Sequence, residues 1–82
     1  MAEALARNFV LQGFDPVTEE LRVELSLRSV PIERLRALFD VGDDHEMCNA
    51  YPLAATQARA LQEFLAEKID TRRYDFFVQR YA

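Results

Sequence analysis

The chain has 82 residues, half of them apolar and with six Phe and three Tyr among them, and a formal charge of −4 at pH 7. That length allows one domain, residues 1–82, with one modest core, and the apolar share excludes intrinsic disorder. The longest uncharged stretch, Met47 to Ala58, falls short of the roughly 20 apolar residues of a membrane-spanning helix.

Glu3 stands where a secretory leader carries positive charge, and no apolar stretch follows it, so a cytoplasmic location is expected. The one cysteine, Cys48, permits no intramolecular disulfide, which agrees with a reducing compartment. The charge is uneven along the chain, with ten acidic and five basic residues up to Glu46, against four acidic and five basic from Met47 onward. Nonspecific nucleic-acid binding draws on clustered Lys and Arg, so this balance argues against a nucleic-acid partner.

In chain order, Asn8 to Phe14 is rich in strand formers. Leu21 to Arg28 alternates strictly, with Leu21, Val23, Leu25 and Leu27 on one face and Arg22, Glu24, Ser26 and Arg28 on the other. Between them, Asp15 can accept from backbone amides ahead of it and Pro16 fixes φ at the second turn position, so the two segments predict an antiparallel hairpin. Two strands alone are marginal in water, and the hairpin needs helices or a further strand to cover it.

Pro31 suits the first turn of a helix whose Ile32, Leu35, Leu38 and Phe39 share a face, with Gly42 placed to stop it. Residues Asp43 to Leu53 read as irregular, pegged to the core by Met47, Tyr51 and Leu53, with room for a short third strand. A second helix is expected from about Ala54 to Lys68, on the stripe Ala58, Leu61, Phe64 and Leu65. Asp70 offers an N-cap to a third helix, since Tyr74, Phe77, Val78 and Tyr81 follow the i, i+3, i+4, i+7 pattern and leave Phe76 pointing away from that stripe. The expected order is β-β-α-loop-α-α: a small α+β fold in which an N-terminal hairpin packs against three helices.

The chemistry-bearing residues are few. His45 and Cys48 are the only His and Cys, and a structural zinc site lacks its second ligand pair. A Cys-His nucleophile lacks a recognisable orienting group or oxyanion site, and the calcium-loop pattern fails from either Asp40 or Asp43. No catalytic, cofactor or metal site is therefore expected. Asp15, Glu19, Glu20 and Glu24 read as a charged turn and outer face that keep an edge strand apart from other chains. The acidic stretch Asp40, Asp43, Asp44 and Glu46 has the most functional potential. Its plain reading is a solvated loop; its sharper reading is a patch that steers an oppositely charged protein.

The spacing of Tyr51-Pro52-Leu53, Gln57-Ala58-Arg59-Ala60-Leu61-Gln62, Ile69-Asp70 and Tyr74-Asp75-Phe76-Phe77 resembles a family of small bacterial proteins of unknown function. The Phe14-Asp15 turn and the Leu35 to Phe39 helix look similar too, so the likeness spans nearly the whole chain. It implies a stand-alone, non-enzymatic protein and assigns no functional residue. Where relatives carry Thr or Ser after Tyr-Pro-Leu, this chain has Ala54, which removes a helix N-cap worth ~1 kcal/mol and leaves the start of the second helix unsettled.

These features predict a small protein-binding module that is not an enzyme. Its most concrete form is an immunity-type protein neutralising a basic toxin domain through Asp40, Asp43, Asp44 and Glu46. The competing expectation is a self-assembling structural protein, a homodimer formed through the hairpin edge or the aromatic C-terminal helix. An enzyme using His45 and Cys48 ranks last.

Overall fold

In the computed structural model, which describes residues 4–44 and 46–81, six elements follow one another. They are β1 (Phe9–Phe14), β2 (Leu21–Ser26), α1 (Ile32–Leu38), β3 (Tyr51–Pro52), α2 (Ala55–Gln62) and β4 (Asp75–Arg80). The strands form one antiparallel sheet in the order β2-β1-β4-β3. The expected hairpin under three helices is thereby corrected to an α+β fold with a four-stranded sheet and two helices.

The hairpin and its turn form for the reasons the sequence supplies. Asp15 Oδ1 accepts from the amides of Val17 (2.8 Å) and Thr18 (3.0 Å), and the Asp15 amide donates to the Glu20 carbonyl at 2.8 Å. Glu19 closes the turn with φ at 62°. The register is irregular at Phe14, which pairs with Leu21 while Gly13 pairs with Val23. Leu21 therefore leaves the face of Val23 and Leu25 and is 47% exposed.

The larger correction lies at the C-terminus. Residues 75–80 are a strand, and β4 lies between β1 and β3, pairing along its whole length with β1 from Phe9↔Arg80 to Phe14↔Asp75. The run Phe76-Phe77-Val78 fits a 3.6-residue stripe and a 2-residue alternation equally well, and its β-branched and aromatic residues favour the strand once a partner is at hand. Asp70 caps no helix: its carbonyl and side chain organise a turn through the amides of Arg72, Arg73 and Tyr74. Phe76 alternates inward and is 3% exposed.

Opposed residues of antiparallel strands share a face, so Leu11, Gly13, Phe76, Val78 and Tyr51 line one side of the sheet. Leu35 and Phe39 at and beyond α1, and Ala58 and Leu61 from α2, join Phe9, Leu11, Phe76 and Val78 in one hydrophobic cluster, which places both helices on that side. Burial of these side chains, each worth about 1.5–3 kcal/mol for a Leu, Val or Phe, is the main stabilising term. The other side carries Gln12, Phe14, Phe77 and Gln79 and meets no helix among the described residues. On that side the Tyr81 hydroxyl donates to Glu24 Oε1 at 3.2 Å across β1, and Val10, whose place in the register lies between them, is 2% exposed.

Both helices are shorter than their apolar patterns suggest. α1 ends at Leu38, and Gly42, at φ 54°, bends the following loop instead of capping the helix. α2 starts at Ala55 although Ala54 has no side-chain acceptor. Gln57 Oε1 accepts from the Ala54 amide at 2.7 Å, and its Nε2 donates to the Leu38 carbonyl at 2.7 Å, tying the start of α2 to the end of α1. Gln62 does the corresponding work at the other end. It accepts from the Ile69 amide (2.8 Å) and donates to the Glu67 carbonyl (2.7 Å), folding 63–69 back so that Ile69 is buried.

Candidate partner-binding surface

The acidic loop between α1 and β3 is held from beneath. Met47 adopts φ 52° and its side chain is fully buried, while the Tyr51 ring packs on Phe39 with centroids 5.5 Å apart. These are the pegs that the residue pattern implied, with Leu53 packed against the same core. The short strand allowed for in this segment is β3, two residues long.

Of the four carboxylates expected to face a partner, Asp44 is occupied within the loop. Its Oδ1 accepts from the Cys48 amide at 2.9 Å, and its Oδ2 accepts from the Asn49 amide at 3.0 Å and the Tyr51 hydroxyl at 2.6 Å. Three donors stabilise the charged form. Chiefly through the Tyr51 hydroxyl, and then the two amides, they hold the Asp44 carboxyl below its usual range. The same bond pushes Tyr51 up to about 12.

Glu46 is braced from β4. Arg80 Nη1 lies 3.5 Å from Glu46 Oε2, donates to the Glu46 carbonyl at 3.1 Å, and is 3.9 Å from Cys48 Sγ. The Glu46 side chain is still 75% exposed, so its pairing is that of a weak surface contact. Asp40 and Asp43 are both exposed and stand in no ion pair among the described residues. The structure thus gathers Asp40, Asp43, Asp44 and Glu46 on one short loop but gives them different work: Asp44 organises the backbone, while the others present charge.

His45 lies outside the described residues, so its proposed pairing with Cys48 has no geometry to report. Among the described residues no group of three or more His, Cys, Asp or Glu could hold a metal ion, and no helix is long and apolar enough to cross a membrane. Arg80, the last residue of β4, braces this loop and is the residue that sequence reasoning missed. Its only signal is a basic residue shortly after the apolar run Phe76-Phe77-Val78, and a helical reading of 70–81 hides it.

Several residues of the segments Tyr51-Pro52-Leu53, Gln57 to Gln62, Ile69-Asp70 and Tyr74 to Phe77 have structural roles. Tyr51 anchors the loop, Gln57 and Gln62 hold the two ends of α2, Ile69 fills the core and Phe76 and Phe77 alternate on β4. Among the comparisons with known proteins, the family model described as Domain of unknown function (DUF7683) matches residues 8–79, from the start of the hairpin almost to the end of β4. No curated protein matches, and no solved structure matches.

Proposed function

We propose that this chain, which belongs to the family of the domain of unknown function DUF7683, is a small non-enzymatic module that binds a basic protein through its acidic loop. The observation that carries the reading is the exposure of Asp40, Asp43 and Glu46 on a loop whose backbone is fixed by Asp44, Met47 and Tyr51. A patch of one sign raises the rate of encounter with an oppositely charged partner. Fixing the loop in advance lowers the ordering cost of binding. The net charge of −4 favours the same class of partner, and its most concrete version is an immunity-type protein that neutralises a basic toxin domain in the cytoplasm.

The test is capture of partners from the source cells by the tagged protein, side by side with the D40K/D43K variant. The reading predicts a basic protein in stoichiometric amount, lost at higher salt and depleted by the variant. Equal recovery on both baits, or an acidic partner, contradicts it.

A second reading, self-association, is favoured by one observation. β2 is an edge strand with Leu21 exposed, and an unpaired edge is a template for a second copy. Of the two dimer surfaces expected, only the hairpin edge survives, because residues 75–80 form a strand inside the sheet. Light scattering that finds only monomer at high concentration rules this reading out.

A further inference from the structure

The side of the sheet away from the helices carries an open cleft of about 390 Å³, near the small end of ligand-pocket sizes. Its floor is Phe14 and Phe77, edge to face with centroids 5.9 Å apart and planes at 72°. Three acidic residues, Asp15, Glu19 and Asp75, line it together with Gln79. Among the described residues no Lys, Arg or His is in its lining.

Each carboxylate is placed by backbone geometry. Asp15 sits at the first position of the hairpin turn, where the amides of Thr18 and Val17 keep its carboxyl below the usual range and therefore charged. Glu19 projects from the φ 62° residue that closes that turn. Asp75 opens β4 directly opposite Phe14. Glu19 and Asp75 stand in no ion pair among the described residues, and Arg22 pairs with Glu20 at 3.2 Å.

We propose that this cleft binds an arginine side chain presented by the protein partner. It rests on the reading of the domain as a module for a basic protein, and adds to the acidic loop a second contact with a defined shape. Aromatic faces attract cations through their quadrupole. A guanidinium is planar, weakly hydrated and able to stack on a ring while bonding a carboxylate in bidentate fashion. Three carboxylates exclude an anion by repulsion. An apolar side chain would strip them of water with nothing in return. A lysine ammonium can satisfy a carboxylate but presents no plane to Phe14 or Phe77, so arginine is the better fit.

The experiment is a two-dimensional amide NMR titration of the full chain with the capped peptide Gly-Arg-Gly, its lysine counterpart, and its citrulline counterpart, which keeps the shape without the charge. The arginine peptide should give saturable shifts centred on Phe14, Asp75 and Phe77. The lysine peptide should bind at least about threefold more weakly, and the citrulline peptide should produce no saturable change. E19Q/D75N should weaken arginine-peptide binding by about tenfold with the spectrum otherwise intact, whereas E63Q/E67Q, the same change of charge on exposed residues just beyond α2, should leave it unchanged. Absence of shifts at millimolar peptide, equal response to citrulline, or shifts spread over Asp40 and Asp43 as strongly as over the cleft would overturn the assignment. The peptide assay reads the cleft with no partner present, so its failure beside a successful capture removes the cleft and leaves the module. Success beside a failed capture does the reverse.

Discussion

Replacing Gly13 by alanine tests the packing of β1 against β4 most sharply. Gly13 faces the helices, opposite Phe76 on one side and Val23 on the other. A Cβ at that position would stand 2.6 Å from Phe76 Cε1 and 3.1 Å from its Cδ1 and Cζ, roughly 1 Å inside the usual 3.5–4.0 Å carbon contact. The backbone itself would welcome the change, since Gly within a strand costs about 0.5–1 kcal/mol relative to Ala. The ring, however, is 3% exposed and set edge to face against Tyr74 at 6.0 Å. It has little room to retreat, and overpacking of this kind costs about 1–3 kcal/mol. A contact this short falls in the upper part of that range, about 2–3 kcal/mol, so the sum is a loss of about 1–2.5 kcal/mol, or a fall in Tm of roughly 5–20 °C for a domain of this size. Urea titration followed by far-ultraviolet circular dichroism, on G13A, F76L and the double variant, measures it. F76L alone should cost about 1–1.5 kcal/mol, and adding G13A to it should be neutral or stabilising because the shorter side chain vacates the clash. A G13A protein as stable as the parent, or an equal penalty in both backgrounds, would refute the close packing.

Three further outcomes are expected. Truncation before Tyr74 removes β4, the strand joining β1 to β3, and should abolish the cooperative melt; a sigmoidal transition in the truncated chain would contradict the sheet order. Gln62→Ala strands the Ile69 amide and the Glu67 carbonyl and should cost about 1–2 kcal/mol in a denaturant titration, with no loss arguing that water replaces the side chain. The Asp44 and Tyr51 pair should mark the pH profile at both ends. The Asp44 pKa is lowered on folding, so its contribution is present above its unfolded value of 3.8 and is lost as pH falls through the folded value. Tyr51 is raised from 10.0 to about 12, so its contribution is present below pH 10 and is lost as pH rises through 12. The stability gap between wild type and D44N should therefore stay level near neutrality and close in acid, and Tyr51→Phe should delete the highest step in the tyrosinate absorbance titration. A gap that persists undiminished in strong acid would show that the carboxylate charge is not what holds the loop.

The hairpin was legible because its information is local. The strict alternation of 21–28 and the Asp15-Pro16 turn need no knowledge of the rest of the chain. Met47, Tyr51 and Leu53 were legible as pegs because apolar residues inside a polar loop have few other uses. β4 was not, because Tyr74, Phe77, Val78 and Tyr81 satisfy helical spacing while Phe76 and Val78 satisfy alternation. What decides between them is a partner more than 60 residues away in sequence. One clue was present: Phe9, Val10 and Leu11 are consecutive apolar residues, which a two-stranded hairpin with one wet face does not require; all three are buried, in a strand flanked on both edges. In the sequence Asp44 looks like the other acidic residues, because its three bonds depend on the loop conformation around Met47. The Phe14 and Phe77 cleft has no counterpart in a helical reading of 70–81, because it forms only when β4 pairs with β1.

The measurement that bears most directly on the account is hydrogen exchange of the domain, alone and in complex with the partner that it captures. Binding through the acidic loop and the cleft predicts slowed exchange in the loop from Asp40 to Asn49 and in the turn from Asp15 to Glu20, with the amides of α2 unchanged. Protection confined to α2 and the Lys68 to Arg73 segment, with the acidic loop exchanging as freely as before, would contradict it.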